Sequence, residues 1–107
     1  MKKYLIKASY NANGVKGLIE DGGTRRYSEV QKMITSLGGK LESFYFAFGE
    51  HDAYIVIELP DDVTAAAAAM RVNSTGLVSI STSVLLTPAD IDAASKKSVS
   101  YKAPGQK

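Results

Sequence analysis

The chain has no cysteine, no tryptophan and a single histidine among its 107 residues. Without cysteine there is no disulfide, no thiolate nucleophile and no Cys-ligated zinc or iron–sulfur centre. One histidine cannot build a multi-histidine metal site within one chain, and only symmetric copies in an oligomer could share one. No metal and no other cofactor is expected. No apolar run approaches the roughly 18 residues that a membrane-spanning helix needs, so a membrane role is not expected either. The chain runs directly into the strand-like Tyr4-Leu5-Ile6, with no long apolar segment before it, and a cytoplasmic location is the expectation. An excess of one charge is also missing: 13 Lys and Arg against 11 Asp and Glu give a net charge of +2. The only basic doublets are Lys2-Lys3, Arg25-Arg26 and Lys96-Lys97. Nucleic-acid binders show a denser basic stripe, so nucleic acid is not an expected partner.

What is present fits one soluble domain. Hydrophobic residues make up 45% and charged residues 22% of the chain, both ordinary values. A chain of this length buries about 65% of its unfolded surface, which makes a real but thin core. Residues 3–9 read as a strand, followed by the turn signal Asn11-Ala12-Asn13-Gly14. Residues 15–20 suit a helical turn that Gly22-Gly23 interrupts. Thr24 is placed as the cap of a longer helix in which Tyr27, Val30, Met33, Ile34 and Leu37 share one face. Gly38-Gly39 ends it. Residues 40–48 and 53–59 read as strands joined by the hairpin Gly49-Glu50-His51-Asp52. Pro60-Asp61-Asp62 opens a helix from Val63 to about Asn73, built on five consecutive alanines. Residues 77–86 alternate as a fourth strand. Thr87-Pro88-Ala89-Asp90 has the composition of a helix start, and that last helix ends near Lys97.

The order is β-α-β-β-α-β with a short C-terminal helix: an α+β, ferredoxin-like plan in which a four-stranded antiparallel sheet carries its two main helices on one face. The domain is expected to span residues 1–97, with 98–107 a flexible C-terminal tail. Two helices cover one face of a sheet, yet both faces here carry bulky apolar groups. Phe44, Phe46 and Phe48 are read as pointing one way and Leu41, Tyr45 and Ala47 the other; Ala53, Ile55 and Ile57 oppose Tyr54 and Val56. A large exposed apolar face is rare on a monomer. The expectation is a homodimer or higher homo-oligomer that packs two sheets face to face.

The run Leu37-Gly38-Gly39-Lys40-Leu41, then Ser43-Phe44-Tyr45, then Gly49-Glu50-His51-Asp52-Ala53, resembles the GYD-domain family over roughly residues 3–95. Pro60-Asp61-Asp62 and the alanine-rich helix resemble its next segment. The resemblance implies a dimeric α/β barrel and no assigned general activity. This chain departs from the family in placing His51 where tyrosine is common between the Glu and the Asp. Tyr10 stands where the family often has an aromatic after the first strand.

Several residues invite a chemical reading, each with a structural competitor. His51, with a side chain that ordinarily titrates near neutrality, adjoins Asp52, and a His–Asp pair serves as a general base; the competing reading is a wet polar hairpin. Tyr10, Tyr45 and Tyr54, with Tyr4 and Tyr27, are many phenols for a small domain. They can orient a small ligand in an apolar cavity or simply complete core and interface. Arg25 and Arg26 beside Gly22-Gly23 suit a carboxylate or phosphate, or a solvated basic turn; the region also suits a mobile lid. Lys7 and Glu58 are read as structural neighbours on one sheet face, and Ser79, Ser81 and Ser83 as one face of the fourth strand. The catalytic candidates are thus His51 and Asp52, and the ligand-binding candidates Tyr10, Arg25, Tyr45 and Tyr54. Two functions follow: a dimeric scaffold or small-ligand-binding module, or a cofactor-free monooxygenase or isomerase acting on a small aromatic or enolic compound. A Tyr-lined cavity reached by His51 or Arg25 favours the enzyme; a solid core with His51 in water favours the module.

Overall fold

A computed structural model of the chain describes residues 1–106. Its elements are β1 (Lys2–Tyr10), α1 (Ala12–Asp21), α2 (Gly23–Ser36), β2 (Lys40–Phe46), β3 (Ala53–Leu59), α3 (Asp62–Ser74), β4 (Val78–Leu85) and α4 (Pro88–Ser95). The strands form one antiparallel sheet in the order β2-β3-β1-β4. This is the ferredoxin-like arrangement, with each split βαβ half interleaving its strands with the other. No helix is long and apolar enough to cross a membrane among the described residues.

One face of the sheet holds the core. Tyr4, Ile6 and Ala8 of β1 and Ala53, Ile55, Ile57 and Leu59 of β3 lie under Val30 and Ile34 of α2 and Ala65 of α3. The alternation that buries these positions leaves Leu5, Lys7, Tyr54, Val56 and Glu58 on the opposite, open face.

The structure corrects the sequence reading at three places. Asn11 is not part of a turn; it is the N-cap of α1, its side chain accepting from the Gly14 N–H at 2.8 Å, so the helix starts earlier than expected. Gly22, at φ 82, is shared as the last cap of α1 and the first of α2, displacing Thr24 into the helix. The second strand stops at Phe46, and it carries an irregularity between Leu41 and Ser43. Such a bulge inserts one residue and reverses the side-chain alternation. Leu41, facing Ile57, therefore shares the core side with Phe44, facing Ile55, and not the open side with Tyr45.

Candidate functional site

The chain makes its concavities at one end of the core face, where α1 lies across the sheet. Tyr10, the last residue of β1, stands beneath it and lines the clefts on either side. Its backbone is fixed from below: the Tyr10 N–H donates to Asp52 Oδ2 at 2.7 Å, and the Asp52 N–H donates to the Ala8 carbonyl at 2.8 Å. Asp52 is thus a strap between the β2–β3 hairpin and the end of β1. α1 is held from above. The Asn11 N–H donates to the Leu77 carbonyl at 3.0 Å, and its side-chain amide donates to the Gly76 carbonyl.

One cleft, of about 340 Å³, opens between α1, α2 and α3, with Leu18, Met33, Val72 and Val78 among its apolar walls. Two guanidinium groups, Arg26 of α2 and Arg71 of α3, reach it, and Asp21 stands on its rim. Neither arginine forms an ion pair among the described residues. The cleft continues into a narrower recess of about 60 Å³ that reaches Ile6, Ala8 and Ile55 on the sheet. A second cleft, also about 340 Å³, lies on the other side of Tyr10, between Val15 and Leu18 of α1 and the end of β2 at Phe46, Ala47 and Phe48. An aromatic series, Tyr27–Phe44–Phe46, with ring centroids 5.9 and 5.0 Å apart, connects α2 to this cleft.

The Tyr10 phenol feels these neighbours. Burial pushes its pKa above the ordinary value of 10.0, the Arg26 guanidinium beside it pulls the other way, and the Asp52 carboxylate adds to the rise. At neutral pH the hydroxyl is protonated and available to donate toward the cleft.

The sequence candidates divide between the two sides of the sheet. Tyr10 and Asp52 are on the cleft side. His51 turns to the open face: its Nδ1 lies 3.1 Å from Ser9 Oγ, its ring meets Tyr54 edge-on at 5.9 Å, and its Nε2 is 3.8 Å from Glu50 Oε1. No hydrogen bond joins His51 to Asp52 among the described residues, so the two are neighbours in sequence without forming a dyad. Tyr54 lies beside His51, and Tyr45, its cross-strand partner, is 72% exposed on the same open face. Arg25 is exposed and lines none of these clefts; its neighbour Arg26 does. The signal for Arg26 was available, since it precedes Val30 by one helical turn and Ile34 by two, on the buried face of α2. Arg71 had none, because the alanine run of α3 hides which of its faces turns inward. Lys7 and Glu58 do share the open face but do not oppose each other; Lys7 stands opposite Tyr54, and Glu58 opposite Lys3.

No curated protein matches the chain. The family model described as GYD domain matches residues 4–95, from the first buried residue of β1 to the last residue of α4. That match includes every strand pairing, the Asp52 strap and both clefts around Tyr10, and with it the chain belongs to the GYD domain family.

Proposed function

We propose that this protein is a homodimeric small-ligand-binding module whose ligand is a small, partly apolar organic anion. The observation that carries the reading is the pair Arg26 and Arg71, unpaired by any carboxylate of the described chain, on the walls of the cleft that also holds the Tyr10 hydroxyl. Apolar walls favour the hydrocarbon part of a ligand, and two guanidinium groups against the single carboxylate of Asp21 favour a negative charge. The volume lies at the small end of the range for organic ligands. The dimer follows from the open face, where Leu5, Val56, Tyr54, Tyr45 and Leu85 place apolar groups over β1, β3 and their neighbours with no helix above them. A twofold copy packed on that face removes them from water.

The test is calorimetric titration with simple aromatic carboxylates and their neutral amides. The acids should bind and the amides should not. Arg26→Gln should weaken binding of the acids tenfold or more, and Arg25→Gln should leave it unchanged. Equal binding of amides, or an Arg26→Gln variant that binds as the parent does, would overturn the reading. The protonated Tyr10 hydroxyl beside a guanidinium favours a second one, isomerase or cofactor-free monooxygenase chemistry on an enolic compound, because that pair stabilises an enolate oxygen. Accelerated deuterium exchange at the carbon next to a bound ligand's carbonyl would select it.

A further inference from the structure

The sequence after β4 does not belong to the globule. A compact chain of this length has a radius of gyration of about 13 Å; this one measures 17.3 Å, with a longest dimension of 59 Å against 33 and 23 Å for the others. α4 is nonetheless well made. Thr87 accepts from the Asp90 N–H at 3.1 Å, Asp90 accepts in return from the Thr87 N–H at 2.9 Å, and Pro88 opens the first turn. Every residue of this helix is exposed, and it buries none. An isolated helix of 8 residues is too short to persist in water by itself, whatever its caps. The segment also carries apolar groups that a solvated tail has no use for: Leu86, Ile91, Val99 and Tyr101 are all more than half exposed.

We propose that residues 86–106 form an arm that docks on a second copy of the chain, each protomer giving one arm and receiving one. This rests on the dimer proposed above and adds to it an exchanged element. Two features select a second copy as the occupant. The arm leaves from Leu85, whose side chain belongs to the open face, opposite Lys3, so the arm's apolar residues extend the surface that a second copy covers. The arm's own body does not receive it, since the long axis of the molecule is set by its projection.

Amide hydrogen exchange of the full chain across a dilution series, alongside sedimentation, tests this. Because α4 buries no residue within its own chain, its amides should be protected only at concentrations where the dimer is populated, and should lose protection on dilution in parallel with it. Ile91→Asp, on an exposed helix position that leaves the globule untouched, should raise the dimer dissociation constant tenfold or more, as should deletion of residues 88–107. A dimer in which the α4 amides exchange freely overturns the arm and leaves the dimer standing. Protection that persists in the monomer shows docking on the same chain and also overturns the arm. A chain that sediments as a monomer at every concentration removes both.

Discussion

Tyr4 shows how a single buried side chain couples the fold to pH. It is 1% exposed under α3, and its hydroxyl donates to Asp62 Oδ1 at 2.7 Å, while Asp62 Oδ2 accepts from the Lys2 ammonium at 2.8 Å. Burial first, and the bond to Asp62 second, push the phenol to about 12. The unfolded phenol ionises near 10.0, so the folded chain keeps a proton that the unfolded chain releases. The stability from this residue is therefore complete below pH 10 and is lost as the pH rises toward 12. Tyrosinate absorbance during alkaline titration should show a last phenol near 12 in the parent that is missing from Tyr4→Phe, and that variant should lose about 1 kcal/mol at neutral pH in chemical denaturation. The burial of Tyr4 was legible in the alternation of its strand. Its partner was not, because it lies 58 residues away and only the register of β1 on β3 brings it near. The Arg25–Arg26 doublet carries the same lesson at shorter range. Adjacent residues on a helix point about 100° apart, and it is the phase set by Val30 and Ile34 that sends one into the cleft and the other into water.

The element that most shapes the cleft is α1, and its seating depends on Gly14. This residue is buried, and a Cβ there would run into the Leu77 carbonyl oxygen, the atom that accepts from the Asn11 N–H. Gly14→Ala must lift the helix from its anchor and should cost about 1–3 kcal/mol. Gly17, one turn further along, has nothing within 4 Å of an added Cβ, and Gly17→Ala should stabilise by up to about 1 kcal/mol by helix propensity alone. Urea denaturation of the two variants compares them directly. α1 was also the element least visible in the sequence. Asn-Ala-Asn-Gly suits a turn and a helix N-cap equally well, and what decides between them is the approach of residues 76–77, a long-range contact. The strands β1, β3 and β4 and the helix α2 were legible from β-prone or periodic residues, α3 from its acidic cap and alanine run, and α4 from its Thr-Pro start. The bulge after Leu41 was not, since an inserted residue leaves the composition of a strand unchanged and alters only its pairing.

On the scale of the molecule, the sheet has two faces and α2 and α3 cover only one, leaving Leu5, Tyr54 and Val56 among Lys7, Glu58 and the serines of β4 on the other. Val56 sits centrally on the other, opposite Leu5. Val56→Glu should leave the core face intact and yield a folded monomer by sedimentation, with its helical circular dichroism retained. A variant that remains dimeric would place the contact elsewhere on the surface. The apolarity of both strand faces was written in residues 41–57, whereas the projection of α4 was not, because a capped helix start looks the same whether the helix packs or stands free. The clefts around Tyr10 open on the side of the sheet that carries the helices, away from Leu5 and Val56. In the proposed dimer, loading and unloading such a cleft would therefore ask nothing of the opposite face: cargo would come and go while two subunits stay joined.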